Sequence, residues 1–313
     1  MNLFQAARGQ YEDRLQRAAF LAKNHPFAAE FLNFYQTIAQ FQKSLYNRIA
    51  ASLPVQQGDA TPSPIRESFD PALVLPHFRA FLDVTQRNAP APLADAARQV
   101  SAQSADSWLA LLSSYWAHAG LATPHRICSG ESLDSHARES SDSHARESSD
   151  SHARESLHSD VAPDPFTQFL PRAFLQPYAE FLAEQLPKPV LLVTATLCPL
   201  CGGAPLLGVL RREGDSGKRI LLCSFCSQEW EFRRIHCPTC GEQSETKLPV
   251  YVAEQFPHIR VEACDTCHNY LRTIDLTKDG HAIPLIDDLA ALPLSLWAHQ
   301  HNYTRPQPNL LGT

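Results

Sequence analysis

The sequence predicts an α+β protein: an all-α N-terminal region, two small cysteine-organised units, and a C-terminal helix. Three observations carry this. Residues 1 to about 127 read as helical, with apolar side chains recurring at spacings of three and four. Eight of the nine cysteines fall between residues 198 and 267, in four C-x-x-C pairs. Hydrophobic residues make up 44% of the 313, enough for one or two buried cores and too many for a chain disordered throughout. The expected organisation is a helical domain over 1–130, a low-complexity linker over 131–160 and a helical segment over 161–190 packing with the N-terminal domain. A duplicated C-x-x-C module follows over 191–280, and a C-terminal helix and tail over 281–313.

The clearest helix starts near Asn24, with Pro26 at an early helical position. Phe27, Phe31, Phe34, Ile38, Phe41, Leu45 and Ile49 form one apolar stripe, which stops before Pro54. Pro54–Pro64 reads as a loop. Shorter helices are expected around Pro71–Val84 and Ser107–Ala119, the latter burying Trp108, Leu111, Leu112, Tyr115 and Trp116. Phe174, Tyr178, Phe181, Leu182 and Leu186 mark another helix, ending at Pro187. Val190–Leu197 reads as a short strand leading into the cysteines. In the tail, Asp287–His299 has helical spacing in Leu289, Leu292, Leu296 and Trp297, with a kink expected at Pro293.

Between the helices and the cysteines lies a repeat. DSHARES begins at Asp134, Asp142 and Asp150, a period of 8. Eight residues on a helix overshoot two turns by about 80°, so His136, His144 and His152 would share no face. The unit has no apolar residue but Ala, and reads as a disordered, tandemly expanded linker. A histidine-based metal tract is the competing reading.

Charge and compartment narrow the function classes. The chain has 27 Lys plus Arg against 33 Asp plus Glu, a net −6, which fits poorly with a nucleic-acid binder. The stretch MNLFQAARGQYEDR has no apolar core of a secretory signal. The longest apolar-rich run, Val190–Leu200, is far short of the ~20 residues of a membrane span. A cytoplasmic protein without membrane insertion is therefore expected. In a reducing cytosol, paired cysteines are metal ligands or redox dithiols before they are structural disulfides.

The pairs are Cys198/Cys201, Cys223/Cys226, Cys237/Cys240 and Cys264/Cys267. Two intervening residues let both sulfurs point at one ion while backbone N–H groups donate to the thiolates. A glycine after the second cysteine eases a left-handed turn, as at Gly202 and Gly241; the other two pairs have Ser227 and His268 there. The two C-P-x-C-G pairs are 39 residues apart, and Arg219-Ile-Leu-Leu-Cys223 resembles Arg260-Val-Glu-Ala-Cys264 at an offset of 41. A duplicated unit that binds one ion implies sequential pairing. Site one is Cys198, Cys201, Cys223 and Cys226; site two is Cys237, Cys240, Cys264 and Cys267. Tetrahedral S₄ suits structural zinc or a single rubredoxin-type iron, in zinc-ribbon-like or rubredoxin-like units.

Residues Cys198 to Asp275 hold 9 basic and 10 acidic side chains, and each S₄ site with a divalent ion adds a formal −2. That argues against a zinc-ribbon nucleic-acid module. Arg211, Arg212, Lys218, Arg219, Arg233 and Arg234 instead read as neutralising thiolates or forming a solvated face, with a local patch for an anion or a partner as the alternative. Cys128 reads as incidental. His236 and His268 flank ligand positions and could tune them; His299 and His301 read as solvated. No Ser/His/Asp order, phosphate loop or dinucleotide fingerprint occurs, so no active site is expected. A thiol–disulfide oxidoreductase using the pairs is the alternative class.

The run CPLCGGAPLLGVLRREGDSGKRILLCSFCSQEWEFRRIHCPTCGE, then VEACDTCHNYLRTID, DDLAALPLSLWA and the ending NLLG, resembles the formate dehydrogenase accessory protein FdhE family. The resemblance is specific from Cys198 to Gly312 and lies only in helical character before that. It implies a cytoplasmic maturation factor, not an enzyme, that binds the catalytic subunit of formate dehydrogenase and leaves room for a homodimer. It implies iron, one per rubredoxin-like Cys₄ site, with zinc as the alternative. Glu229, Trp230, Arg233, Asp287, Asp288 and Leu289 match further family positions; packing and helix capping are expected of them, with contact to a partner as the alternative.

Overall fold

The first helix hides its buried face from a search for apolar periodicity. In α1 (Leu3–Asn24) that face is Tyr11, Arg14, Arg17, Ala18 and Leu21, two of its five members being arginines. A computed structural model describes residues 3–52, 65–121, 165–186, 193–213, 216–310 and 312. The DSHARES repeat, the Pro54–Pro64 loop and Cys128 lie outside the described residues.

After α1, Pro26–Ala28 makes one 3₁₀ turn and α2 (Ala29–Ser52) begins, so the expected stripe is divided between two elements. Phe34, Ile38, Leu45 and Ile49 are buried as expected, while Phe27, ahead of the helix, is exposed. α3 (Pro71–Asn88) starts with Asp70 accepting the Ala72 N–H at 2.9 Å and Pro71 in the first turn. α4 (Ala91–Ser101) has no counterpart in the expected elements. Its buried face is mostly alanine, which carries little apolar signal. Ser104 caps α5 (Ala105–His118), where Leu112 and Trp116 are buried and Trp108, Leu111 and Tyr115 pack partly buried against the core.

α6 (Pro165–Gln185) begins nine residues before the expected Phe174 and contains Pro171 and Pro177. Proline in a helix interior removes a hydrogen bond and normally stops the helix. Here Phe169, Leu170, Ala173, Phe174, Leu175, Tyr178 and Ala179 are all buried among the other helices, and tertiary packing overrides the local preference. Phe174 lies 4.8 Å from Phe78 and 5.5 Å from Phe81, ring centre to ring centre, at the middle of this core.

The cysteine region forms one six-stranded sheet of β1 (Pro205–Glu213), β2 (Ser216–Cys223), β3 (Glu229–Glu231), β4 (Val250–Val252), β5 (Ile259–Ala263) and β6 (Tyr270–Asp275). Its order is β3-β2-β1-β6-β5-β4, with all neighbours antiparallel except β1 and β6. Each repeat contributes three strands in the same order, and the first strand of repeat one lies beside the last strand of repeat two. The halves are thus related by a shift along the sheet, and both sulfur clusters end up at the same ends of the strands. Leu221 faces the helical core while Ile220 and Leu222 face a second core, the alternation of a strand covered on both sides. Of the expected strand Val190–Leu197 the described part, residues 193–197, is turn and irregular. They bond beside β3 instead, Val193 accepting the Arg233 N–H at 3.0 Å and Ala195 the Trp230 indole N–H at 2.8 Å.

The tail forms two helices rather than one kinked one, α7 (Pro284–Ala290) and α8 (Leu292–Gln300), broken at Ala291 with Pro293 in the first turn of the second. Met1–Thr123 and Asp164–Thr313 cluster as one unit, in which α7 packs on α1, β1 and β6. Among the described residues no helix is long and apolar enough to cross a membrane.

The seam between the repeats is the parallel β1–β6 pair, where Gly208 lies opposite Thr273. A Cβ on Gly208 would fall 2.4 Å from Thr273 Oγ1 and 3.2 Å from its Cβ and Cγ2. Gly208→Ala is therefore expected to lower stability by about 1–3 kcal/mol, the usual cost of overpacking. Gly217→Ala, whose new methyl would meet only the Arg211 carbonyl at 3.8 Å, serves as the control. Urea midpoints of the two variants check this; equal midpoints would contradict it.

Candidate metal centres

Each C-x-x-C pair sits in the same local turn. The N–H of the first cysteine donates to the carbonyl five residues on: Cys198 to Gly203, Cys223 to Gln228, Cys237 to Glu242 and Cys264 to Asn269, at 2.7–2.9 Å. The residue after the second cysteine is left-handed in all four, with φ of +70° at Gly202, +57° at Ser227, +81° at Gly241 and +54° at His268. Two of the four turns thus place a non-glycine residue where glycine is favoured, a strain the surrounding structure sustains. Backbone N–H groups of Gly203, Phe225 and Thr239 point at Cys201, Cys223 and Cys237 Sγ, each at 3.4 Å.

The turns pair sequentially, as the duplication implies. One tetrad is Cys198, Cys201, Cys223 and Cys226; the other is Cys237, Cys240, Cys264 and Cys267, with all four sulfurs of each within 4.8 Å of one another. Sulfurs of different turns lie close: Cys198 to Cys226 at 3.6 Å, Cys201 to Cys223 at 3.4 Å, Cys237 to Cys267 at 3.8 Å and Cys240 to Cys264 at 3.6 Å. Ligands about 2.3 Å from a central ion at tetrahedral angles lie about 3.8 Å apart. Donor type, number and spacing therefore fit one tetrahedral ion per tetrad.

Four thiols this close cannot ionise independently without a central cation. Hydrogen bonds from Cys201, Cys223 and Cys226 hold the Cys198 thiol well below the ordinary range, whereas burial and then its neighbours push Cys223 up. Hydrogen bonding to Cys267, then burial, raises Cys237; burial raises Cys240 to about 11.

The tetrads differ in surroundings. All four cysteines of the first are buried, and the helices close over them. Gly120, just past α5 with φ +67°, accepts the Ala204 N–H at 2.7 Å. Arg66 donates to the Cys201 carbonyl at 2.7 Å and lies 4.7 Å above the Phe225 ring, against which Trp116 packs edge-on. Ser227 donates to Glu180 of α6 at 2.8 Å. In the second tetrad Cys237 and Cys264 are buried, Cys267 is half-buried and Cys240 is exposed.

The flanking residues are mainly packing groups. Trp230 is buried; Glu229 pairs with Arg211 at 2.7 Å on the surface. His236 packs 5.2 Å from Phe232, and His299 and His301 are exposed. Asp287 accepts the Ile283 N–H at 2.8 Å at the start of α7, so capping is part of its role. Both aspartates are also buried in ion-pair networks. Asp287 meets Arg17 Nε at 2.9 Å and His258 at 2.8 Å; Asp288 Oδ1 lies 2.8 Å from Arg272 Nε and 2.9 Å from Arg305 Nη2. His258, Asp279 and Asp287 form a third ligand-like group, but the Arg17 guanidinium is already its cation, donating to both carboxylates. The arginines and Glu180 that brace the site had no motif to announce them. Their one signal was position: Arg14 and Arg17 stand where an apolar residue would continue the buried face of α1.

The fold and the tetrads define an α+β protein with two duplicated Cys₄ knuckle sites, each able to hold a metal ion. A family model described as FdhE, central domain matches residues 197–234, and one described as FdhE, C-terminal domain matches residues 235–311. Residues 197–311 of the chain thus match the FdhE family. It is 29% identical over 150 residues to the protein FdhE homolog of Aquifex aeolicus, covering 48% of this chain and 53% of that protein. It is 39% identical over 121 residues to the protein FdhE homolog of Pseudomonas aeruginosa, covering 37% and 39%. The chain thus spans about half the length of these relatives, or less. The crystal structure of the FdhE protein from Pseudomonas aeruginosa shares the fold, with a TM-score of 0.65 over 98% of this chain and 96% of that one at 23% identity.

The Glu180 carboxylate is buried, which alone would raise its pKa, but the Arg14 guanidinium and hydrogen bonds from Arg14, Ser227 and Tyr11 hold it below the ordinary value. A folded pKa below the unfolded one gives stability that is present above the unfolded value and lost as pH falls through the folded one. Urea midpoints are expected to fall on acidification below about pH 4.3, the ordinary glutamate value. Glu180→Gln should flatten that acid limb and cost about 3–5 kcal/mol near neutrality by stranding buried Arg14. An unchanged acid limb in the variant would refute the assignment.

Proposed function

We propose that this protein is a cytoplasmic accessory factor for formate dehydrogenase, which it brings to the active state by binding the catalytic subunit. It does not itself oxidise formate. The observation that supports this reading best is the FdhE-family match over residues 197–311 together with all eight cysteines, complete in two tetrads. The net charge of −6 speaks against a nucleic-acid partner. Deleting the protein from its host should leave formate dehydrogenase polypeptide present but inactive, as read by immunoblot and formate-dependent dye reduction. Normal activity after deletion would overturn the proposal.

In this reading each tetrad holds one iron in rubredoxin-type ligation, with zinc as the alternative. Cys198, Cys201, Cys223 and Cys226 would hold one ion; Cys237, Cys240, Cys264 and Cys267 would hold the other. Iron so bound would supply one-electron chemistry. The chain's own part is to orient the sulfurs through four equivalent turns and to keep water from the first site. A dithiol oxidoreductase is less well supported, because all four sulfurs of each tetrad lie within 4.8 Å of one another, as ligands of one ion would, instead of forming separate exposed pairs. Elemental analysis and an absorption spectrum of anaerobically purified, air-oxidised protein test the metal. Two iron per chain with visible thiolate-to-iron absorption is expected. Two zinc and no colour would select the alternative and refute iron.

A further inference from the structure

The two tetrads are the same in chemistry and opposite in access. Cys198, Cys201, Cys223 and Cys226 are 1–5% exposed. A methyl on Gly203 would lie 3.0 Å from Cys223 Sγ and 3.2 Å from Cys201 Sγ, so even the glycine backbone is closed on the sulfurs. Arg66, Gly120, Trp116 and Phe225 seal the helical side. In the second tetrad the two buried sulfurs, on Cys237 and Cys264, are the first cysteines of their turns. Cys240, which is exposed, and Cys267, which is half-buried, are the second. One edge of that tetrad faces solvent and the other is anchored.

The charges nearby differ too. Arg66 donates into the first site's turn, and Arg172 shares a cleft with Cys223. The turns of the second carry Glu242, which accepts from Thr266 Oγ1 at 2.6 Å across the two turns, and Asp265, which accepts from Tyr303 at 2.6 Å. Carboxylates at an open site raise the local concentration of cations.

We propose that the second site is the exchangeable one, whose ion enters and leaves past Cys240 and Cys267, while the first is a permanent structural tie. This rests on the reading that each tetrad holds an ion. Release from four thiolates goes by replacement of one ligand at a time. An incoming donor, a small thiol or a chelator, gives a lone pair to the ion as one cysteine Sγ departs with its own, and the departing thiolate takes up the proton that the incoming donor, or a buffer acid, gives up. No electron changes hands. Such a step needs room beside a sulfur, and the second site has it at Cys240 and then Cys267. The first has none unless the helices separate from the sheet. Site one is thereby tied to the folding of the whole unit, and site two only to local opening.

The full chain loaded with zinc tests this. Excess 4-(2-pyridylazo)resorcinol reports release by absorbance, and iodoacetamide quenching with mass mapping reports which sulfurs are freed. Two ions per chain are expected, one leaving about tenfold faster or more, with label first on Cys240 and Cys267. Cys240→Ser should speed the fast phase and leave the slow one unchanged. Two ions leaving at one rate, or early label on Cys198, Cys201, Cys223 or Cys226, would overturn the inference and leave the metal reading standing. A chain binding no zinc under reducing conditions would overturn both.

Discussion

The structure turns on a single buried carboxylate. Glu180 of α6 accepts from the Tyr11 hydroxyl at 3.0 Å, from both terminal nitrogens of Arg14 at 3.0–3.1 Å, from Gln176 at 3.0 Å and from Ser227 at 2.8 Å. Its donors come from α1, from α6 and from the second turn of the first cysteine tetrad. A carboxylate and a guanidinium taken out of water lose several kcal/mol each, and recover it only when every remaining lone pair finds a donor. Glu180 meets that condition only if helix, helix and cysteine turn are all in place. The ion pair therefore does more to select this one arrangement than to stabilise it. Ser227 holds a left-handed backbone in that same arrangement, so the strain in the turn and the satisfaction of the carboxylate depend on each other.

Two repeats of one design have taken different surroundings. Both put a tetrad at the same end of their strands, and their side-by-side placement follows from Gly208, which lets β1 approach Thr273 of β6. Repeat one faces the helices, and its Cys198, Cys201, Cys223, Cys226, Trp230 and Phe232 join the helical core. Repeat two packs on α8 and the tail, through Phe256, Ile259, Val261, Leu294 and Tyr303. A tetrad needs few apolar neighbours to hold its turns together once an ion is present. The helices at site one thus add enclosure, not the minimum of stability. Site two shows what the unit is without them.

Legibility in the sequence followed the strength of local signals. The tetrads were fully legible, because C-x-x-C spacing and an internal offset of 39–41 residues are covalent facts that tertiary structure does not rearrange. Stripes such as Phe34, Ile38, Leu45 and Ile49 were legible for the same reason of regular spacing. α1 was not delimited, since Arg14 and Arg17 occupy its buried face and read as solvent-exposed until Glu180 and Asp287 are known to stand opposite. The full length of α6 was hidden by Pro171 and Pro177, whose local veto is overruled by burial on nearly every side. Val190–Leu197 looked like a strand from its valines and leucines, but in its described part the Val193 and Ala195 carbonyls accept from Arg233 and the Trp230 indole instead of from a neighbouring strand.

Counter-charge explains why closure of one site and openness of the other are each self-consistent. Four thiolates around a divalent ion leave a formal −2. Buried, that charge has to be met by the protein, and Arg66 and Arg172 lie on the side of site one that the helices cover. Their other bonds go to carbonyl oxygens, Arg66 to Cys201, Trp116 and Ala119, Arg172 to Pro308 and Asn309. Carbonyls fix the two guanidiniums in place without neutralising them. Site two has no such need, because solvent at Cys240 and Cys267 screens its charge. The arginine near it, Arg219, is paired with Glu262 at 2.7 Å and spans the Arg233 and His236 carbonyls. Its charge is already met, so it braces the approach to Cys237 and leaves the thiolates to water and to whatever ligand arrives.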